Sequence, residues 1–153
     1  NAKVYYRGEV VMETGATVPE LQAAAAANYV FPMAGEWEGY LNGIVQYVGD
    51  RYTQIGDQAE GFGTVDLLSF EPNTIGGPLT QSTFSFNPLL PSYTVANARF
   101  GVRNDRWDLA LYVNNLTDEL AYLAIDQERG SRARVGYLVN QPRTYGITAR
   151  VSF

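Results

Sequence analysis

The last ten residues, Thr144-Tyr145-Gly146-Ile147-Thr148-Ala149-Arg150-Val151-Ser152-Phe153, decide the fold. Tyr145, Ile147, Ala149, Val151 and Phe153 alternate with Thr144, Gly146, Thr148, Arg150 and Ser152, so one side is apolar and the other polar or small. Successive strand residues point to opposite faces, and this spacing therefore predicts a half-buried β-strand. The alternation runs to the final phenylalanine, an ending expected of the closing strand of a barrel more than of a soluble domain.

Moving upstream, Tyr93 to Arg103 and Arg106 to Leu116 flank Asn104-Asp105, residue types that tolerate positive φ in a two-residue hairpin turn. Pairing 102 with 107, 100 with 109, 98 with 111 and 96 with 113 puts Val102, Trp107, Phe100, Leu109, Leu111 and Val113 on one face. Asn97, Arg99, Asp108 and Tyr112 fall on the other, with Arg99 diagonal to Asp108. A second hairpin is expected from Glu20 to Phe31, through Pro32-Met33-Ala34-Gly35, and back from Glu36 to about Asp50. Leu21, Ala23, Ala25, Ala27, Tyr29 and Phe31 then face outward against Trp37, Leu41, Val45 and Tyr47, with Gly39 and Gly43 filling gaps. A helix over Ala23–Ala27, opened by Pro19 and Glu20, stays open as an alternative. A first strand is predicted over Ala2 to Glu13, where alternation is rougher.

Composition agrees with an all-β chain. Eleven Tyr, seven Phe and two Trp among fifteen Gly and seven Pro favour strands and turns. The absence of Cys and His removes thiolate zinc sites, disulfides and imidazole-based catalysis. Residues 1–90 hold ten acids and three bases and residues 91–153 six acids and eight bases, so neither part carries the basic stripe that nucleic acid requires. No run of about 20 apolar residues exists, which excludes a transmembrane helix. Transmembrane strands need only about 9–11 residues with alternate positions apolar. The chain opens on Asn1 without an initiator Met or signal peptide, as a mature protein or a piece of one would, and the piece is the expectation.

The connections are unequal. Residues 32–35 and 104–105 make tight turns, 14–19 a short loop, and 51–91 and 118–141 long ones. If Phe153 ends on the periplasmic side, both tight turns share that side and the other three connections lie outside the cell, the asymmetry of outer-membrane barrels. Trp37, Trp107, Phe31 and Phe153 at one end, with Tyr93 and Tyr145 at the other, suit interfacial girdles.

Three stretches resemble the C-terminal part of TonB-dependent outer-membrane receptors. Trp107-Asp108-Leu109-Ala110-Leu111-Tyr112-Val113-Asn114-Asn115-Leu116-Thr117-Asp118 is similar to the family's penultimate strand with its Asn-Leu-Thr-Asp close. Pro142-Arg143-Thr144-Tyr145-Gly146 through Phe153 is similar to its last strand. Tyr47-Val48-Gly49-Asp50-Arg51-Tyr52-Thr53 resembles its Tyr-x-Gly-Asp-Arg-Tyr segment, and Val18-Pro19-Glu20 the start of the strand before it. The resemblance implies about six C-terminal strands of a barrel of about 22, the plug domain being absent from these residues. It implies a bacterial outer-membrane location and energy-coupled uptake of a scarce nutrient, with ferric siderophores first and cobalamin, heme or glycans behind. The implied partners are outer-membrane lipid and lipopolysaccharide, the TonB complex through the plug, the barrel-assembly machinery and a small nutrient ligand. Tyr145, Ile147, Ala149, Val151 and Phe153 fit the signal that the assembly machinery reads.

Candidate site residues follow. Asn97, Arg99, Asp108, Asn114, Thr148 and Arg150 are expected to face a lumen, where such groups contact substrate or pair with one another or a plug. Arg129, Arg132 and Arg134 in the last long loop suit an anionic ligand, a lipopolysaccharide contact or plain solvation. Asp50, Asp57, Glu60 and Asp66 have the chemistry of calcium ligands without the spacing of a calcium loop. Gly61-Phe62-Gly63 is not a dinucleotide fingerprint. The acids Asp118, Glu119, Asp126 and Glu128 lie in loops without the burial that tunes an acid/base pair. No catalytic, cofactor or metal residue is assigned and an enzyme is not expected. The rival expectation is a secreted β-sandwich that binds carbohydrate through loop aromatics such as Tyr52, Phe62 and Tyr122.

Overall fold

A computed structural model describes residues 2–12, 15, 17–66, 83–127 and 135–153. Its main body is an antiparallel sheet of six strands in the order β1-β2-β3-β6-β7-β10. These are β1 (Lys3–Met12), β2 (Leu21–Pro32), β3 (Glu38–Val48), β6 (Tyr93–Arg103), β7 (Trp107–Asn114) and β10 (Thr144–Val151). Two small hairpins, β4 (Thr64–Asp66) with β5 (Thr83–Ser85) and β8 (Tyr122–Gln127) with β9 (Val135–Val139), occupy the long connections. The chain is all-β, and its large sheet is open: β1 and β10 each pair on one side and do not close it into a barrel.

The alanine run is strand, not helix, because β2 is paired along both edges, with β1 and with β3. Its register with β3 matches the alternation: Phe31 opposes Gly39, Tyr29 Leu41, Ala27 Gly43, Ala25 Val45 and Ala23 Tyr47. The connecting turn runs over Ala34–Glu36, closed by the Met33 N–H donating to Trp37 O at 2.9 Å, with Gly35 at φ 68°.

The β6–β7 hairpin departs from expectation in register. Val102 pairs with Leu109, Phe100 with Leu111 and Ala98 with Val113, a slip of two residues. Neither Asn104 nor Asp105 has positive φ. Instead the Asn104 side-chain Oδ1 accepts from the N–H groups of Arg106 (2.9 Å) and Trp107 (2.7 Å), while Asn104 N–H donates to Trp107 O at 2.9 Å. An Asx turn thus centres the bend on Asp105-Arg106. An even slip leaves every side chain on its expected face.

Register sorts the six strands into two chemically distinct faces. One carries Val4, Tyr29, Leu41, Phe100, Leu111 and Ile147 in a row across all six strands, and its other rows hold aliphatic, aromatic, Ala and Gly residues with Thr94 as the polar exception. No charged residue stands on it. This face is uncovered: Tyr145 is 81% and Ile147 76% exposed. At strand spacings of about 4.8 Å and rises of about 3.3 Å per residue the face spans on the order of 900 Å². Soluble monomers seldom expose patches beyond roughly 300–600 Å². A sandwich would bury such a face under a second sheet, and no such sheet lies over it among the described residues.

The opposite face holds every charged strand residue of the large sheet and forms a trough of about 690 Å³ that reaches from Tyr5 of β1 to Thr148 of β10. The described parts of the long connections follow from one end of the sheet and hold buried residues of their own, Leu90 fully enclosed and Val65, Ala121 and Ile125 nearly so. Their short strands lack the long alternation that marks the six, and were not visible in the sequence for that reason.

Candidate functional site

The trough is built in rows, since antiparallel pairing sets residues of neighbouring strands side by side. At the tight-turn end Glu38, Arg103, Asp108 and Arg150 follow one another across β3, β6, β7 and β10, alternating in charge. Arg103 Nη2 lies 3.2 Å from Glu38 Oε2. In the middle run Tyr5, Asn28, Asn42, Arg99, Tyr112 and Gly146. Asn42 donates to Asn28 Oδ1 at 2.8 Å.

Between these rows the buried Tyr40 hydroxyl donates to Asp108 Oδ1 at 2.7 Å and accepts from Arg99 Nε at 3.2 Å. Arg99 Nη2 donates to Thr148 Oγ1 at 2.9 Å. Arg99 therefore reaches Asp108 through a phenol, not diagonally as the earlier register implied, because the two-residue slip sets it opposite Tyr112. Two glycines make the packing possible. A Cβ on Gly101 would strike the Tyr40 ring and one on Gly146 the Tyr112 ring, so each aromatic lies flat over a cross-strand glycine.

All six expected lumen-side residues, Asn97, Arg99, Asp108, Asn114, Thr148 and Arg150, share this face. They do not share one role. Asn97 Oδ1 accepts from Asn115 N–H at 2.8 Å, and Asn114 Nδ2 donates to Thr144 Oγ1 at 3.4 Å. Tyr112 was placed on this face by the hairpin pattern without being counted as a site residue; Tyr40 and the Asn28–Asn42 pair had no motif to mark them, and the strand register found them. Tyr145, Ile147, Ala149 and Val151 share the apolar face opposite Val113, Leu111, Leu109 and Trp107, and Phe153 is fully exposed. Tyr93 is not on the apolar face: it pairs with Val48, with the Arg51 guanidinium 5.5 Å from its ring centroid.

Three quoted sequence stretches turn out to be fastening points. Asn115 (φ 53°, buried) donates through Nδ2 to Glu119 O (2.9 Å) and Gln141 O (3.0 Å) and accepts from Glu119 N–H (2.9 Å). Asp118 Oδ1 accepts from Arg143 N–H at 2.8 Å, so the Asn-Leu-Thr-Asp close of β7 is tied to the Pro-Arg-Thr entry of β10. In the third stretch Arg51 and Leu90 exchange backbone hydrogen bonds of 3.1 and 2.9 Å, Arg51 Nη2 donates to Leu123 O at 3.0 Å, and Thr53 Oγ1 accepts from Ile125 N–H at 2.9 Å. Both long connections are thereby joined into one cap.

The loop candidates fare differently. Arg129, Arg132, Arg134 and Glu128 lie outside the described residues, as does the side chain of Asp66. Asp57 is buried and accepts from Gln54 N–H at 3.0 Å, capping the 3-10 turn Ile55–Gln58. Glu60 and Asp50 are exposed. Gly61 and Gly63 take φ of 83° and 100° in the turn that enters β4. Of the loop aromatics, Phe62 packs edge-on against Phe86 (5.6 Å) and Tyr122 tilts against Tyr137 (5.0 Å).

No protein-family model, curated protein or solved structure matches the chain.

Proposed function

We propose that this chain supplies consecutive membrane-crossing strands of a bacterial outer-membrane β-barrel, and that the barrel is the C-terminal part of a TonB-dependent receptor. The observation that carries the proposal is the uncovered, charge-free face shared by all six strands of the large sheet, opposed by a face holding all of their charges. Water penalises the first face and lipid does not. The lengths agree. An 11-residue strand such as β3 or β6 is about 36 Å long and rises about 25 Å at a tilt near 45°, the height of an outer-membrane apolar band. The long connections and both tight turns fall at opposite ends, as such barrels require.

The receptor level of the proposal rests on the three quoted stretches, supported by the bonds that join Asn115 and Asp118 to the start of β10. Its function is energy-coupled uptake: outer loops capture a scarce nutrient such as a ferric siderophore, and TonB acts through a plug.

The chain has no cysteine, so single cysteines test the membrane reading cleanly. Fluorophores on Ala25→Cys and Leu111→Cys should be quenched by bromine-bearing lipid chains, and those on Asn97→Cys and Thr148→Cys by aqueous iodide. Equal aqueous quenching of all four would sink the reading. For the receptor level, cells expressing the whole protein should take up its nutrient only when TonB is active.

A further inference from the structure

The trough face differs in charge from the chain that forms it. The sequence carries a net charge of -5. On the trough face of the six strands Lys3, Arg7, Arg99, Arg103 and Arg150 outnumber Glu9, Glu38 and Asp108, and the acid excess lies elsewhere. The two carboxylates nearest the trough's tight-turn end are engaged: Glu38 by Arg103, and Asp108 by the Tyr40 hydroxyl, with Arg103 and Arg150 beside it in register. The trough itself is lined by Arg7 and Arg99 with no acid among the described residues.

Arg99 is the centre of this field. Its guanidinium is held by two neutral oxygens, Tyr40 Oη and Thr148 Oγ1, so its position is fixed while its charge is not neutralised by a direct carboxylate contact. Its partners across the strands, Asn42 and Tyr112, are neutral too. A guanidinium has five donors and these two bonds use two, leaving a fork of the kind that takes an oxyanion. Asn28, Asn97 and Asn114 line the same space and bring side-chain amide donors. The trough volume, about 690 Å³, matches a small solute.

We infer that the trough is a binding site for a small oxyanion, a carboxylate or a phosphate, gripped by Arg99 and surrounded by asparagine amides. The inference stands on the trough face alone, not on what covers the apolar face. A small anion entering here meets a cation that is half-buried and held in place, so less of the contact is lost to solvent than at a freely moving surface side chain.

The test uses the whole 153-residue chain, isotope-labelled and folded either in buffer or in detergent micelles, whichever gives its strand circular dichroism, and titrated with citrate, inorganic phosphate and neutral succinamide. Saturable shifts of the Arg99 Nε–H and of the Asn28 and Asn97 side-chain amides with citrate, phosphate or both support the site, and the pattern tells carboxylate from phosphate. Arg99→Gln should weaken binding at least tenfold and Arg99→Lys less, while Arg143→Gln, outside the trough, leaves it unchanged. If Arg99→Gln loses its strand circular dichroism, Arg7→Gln replaces it. That side chain is 85% exposed and has one long ion pair to Glu9, so the fold should persist while binding falls about threefold. No saturable shift, an equal response to succinamide, or equal weakening by Arg143→Gln would overturn the inference.

Discussion

The six-stranded sheet and the cap beyond its end are held together by different physics. The cap has an ordinary small core: Leu90 has no exposed surface, Ala121, Val65 and Ile125 are nearly enclosed, and Arg51 and Thr53 pin one long connection to the other. Such a unit gains its stability by removing apolar surface from water. The sheet does the reverse. Its best-ordered apolar rows point outward, and its polar network lies in the trough. Within one chain, the same residue types are buried in the cap and displayed on the sheet, so hydrophobicity alone does not say where a residue sits.

That contrast can be broken most sharply at Leu111, in the middle of the apolar face. In lipid vesicles Leu111→Arg should cost about 2–4 kcal/mol of unfolding free energy, whereas Gln46→Arg, exposed on the trough face, should cost under about 1 kcal/mol. Urea titration of both variants measures this, and equal effects would mean that the apolar face does not contact lipid. Leu90→Ala should cost about 3 kcal/mol by opening a cavity in the cap. Its signature is local: amide exchange should quicken at residues 51–53 and 121–125 while β2, β3 and β6 stay protected, and uniform loss would show that sheet and cap form one cooperative unit.

Asn115 joins the two regions, and Asn115→Ala should cost about 2 kcal/mol, since it strands the Gln141 carbonyl and the Glu119 N–H, while Glu119 O keeps its bond from the Asn140 amide. Here the expected outcome is uncoupling. The cap should melt at lower denaturant than the sheet, seen as two transitions with probes placed on each. The smallest effect belongs to Arg103→Ala. Its pair with Glu38 is about half exposed on both sides, so a loss under about 1 kcal/mol, reduced further by salt, is expected in the same titration.

Much of this architecture was legible in order along the chain. Strict alternation in Tyr145–Phe153 marked which residues share a face, because a strand has only two faces and period two leaves no third choice; in Leu21–Phe31, where a helix over Ala23–Ala27 stayed open, and in Leu109–Val113 the pattern is looser and the pairing decides. For the same reason the reading survived the misplaced β6–β7 turn. Asn104 looked like a residue for positive φ and instead folded its amide back onto the chain, yet a slip of two residues moved no side chain across the sheet.

Tertiary structure alone decided the rest. That Tyr40 bridges Asp108 and Arg99, residues 68 and 59 positions away, depends on β3 lying beside β6, and no local pattern encodes which strands are neighbours across a long connection. The cap is the other case. Arg51, Leu90, Leu123 and Ile125 belong to segments without periodicity, and they meet because backbone groups in buried loops must find partners wherever the chain brings them. Local sequence sets the face on which a side chain emerges; long-range pairing sets what it meets there.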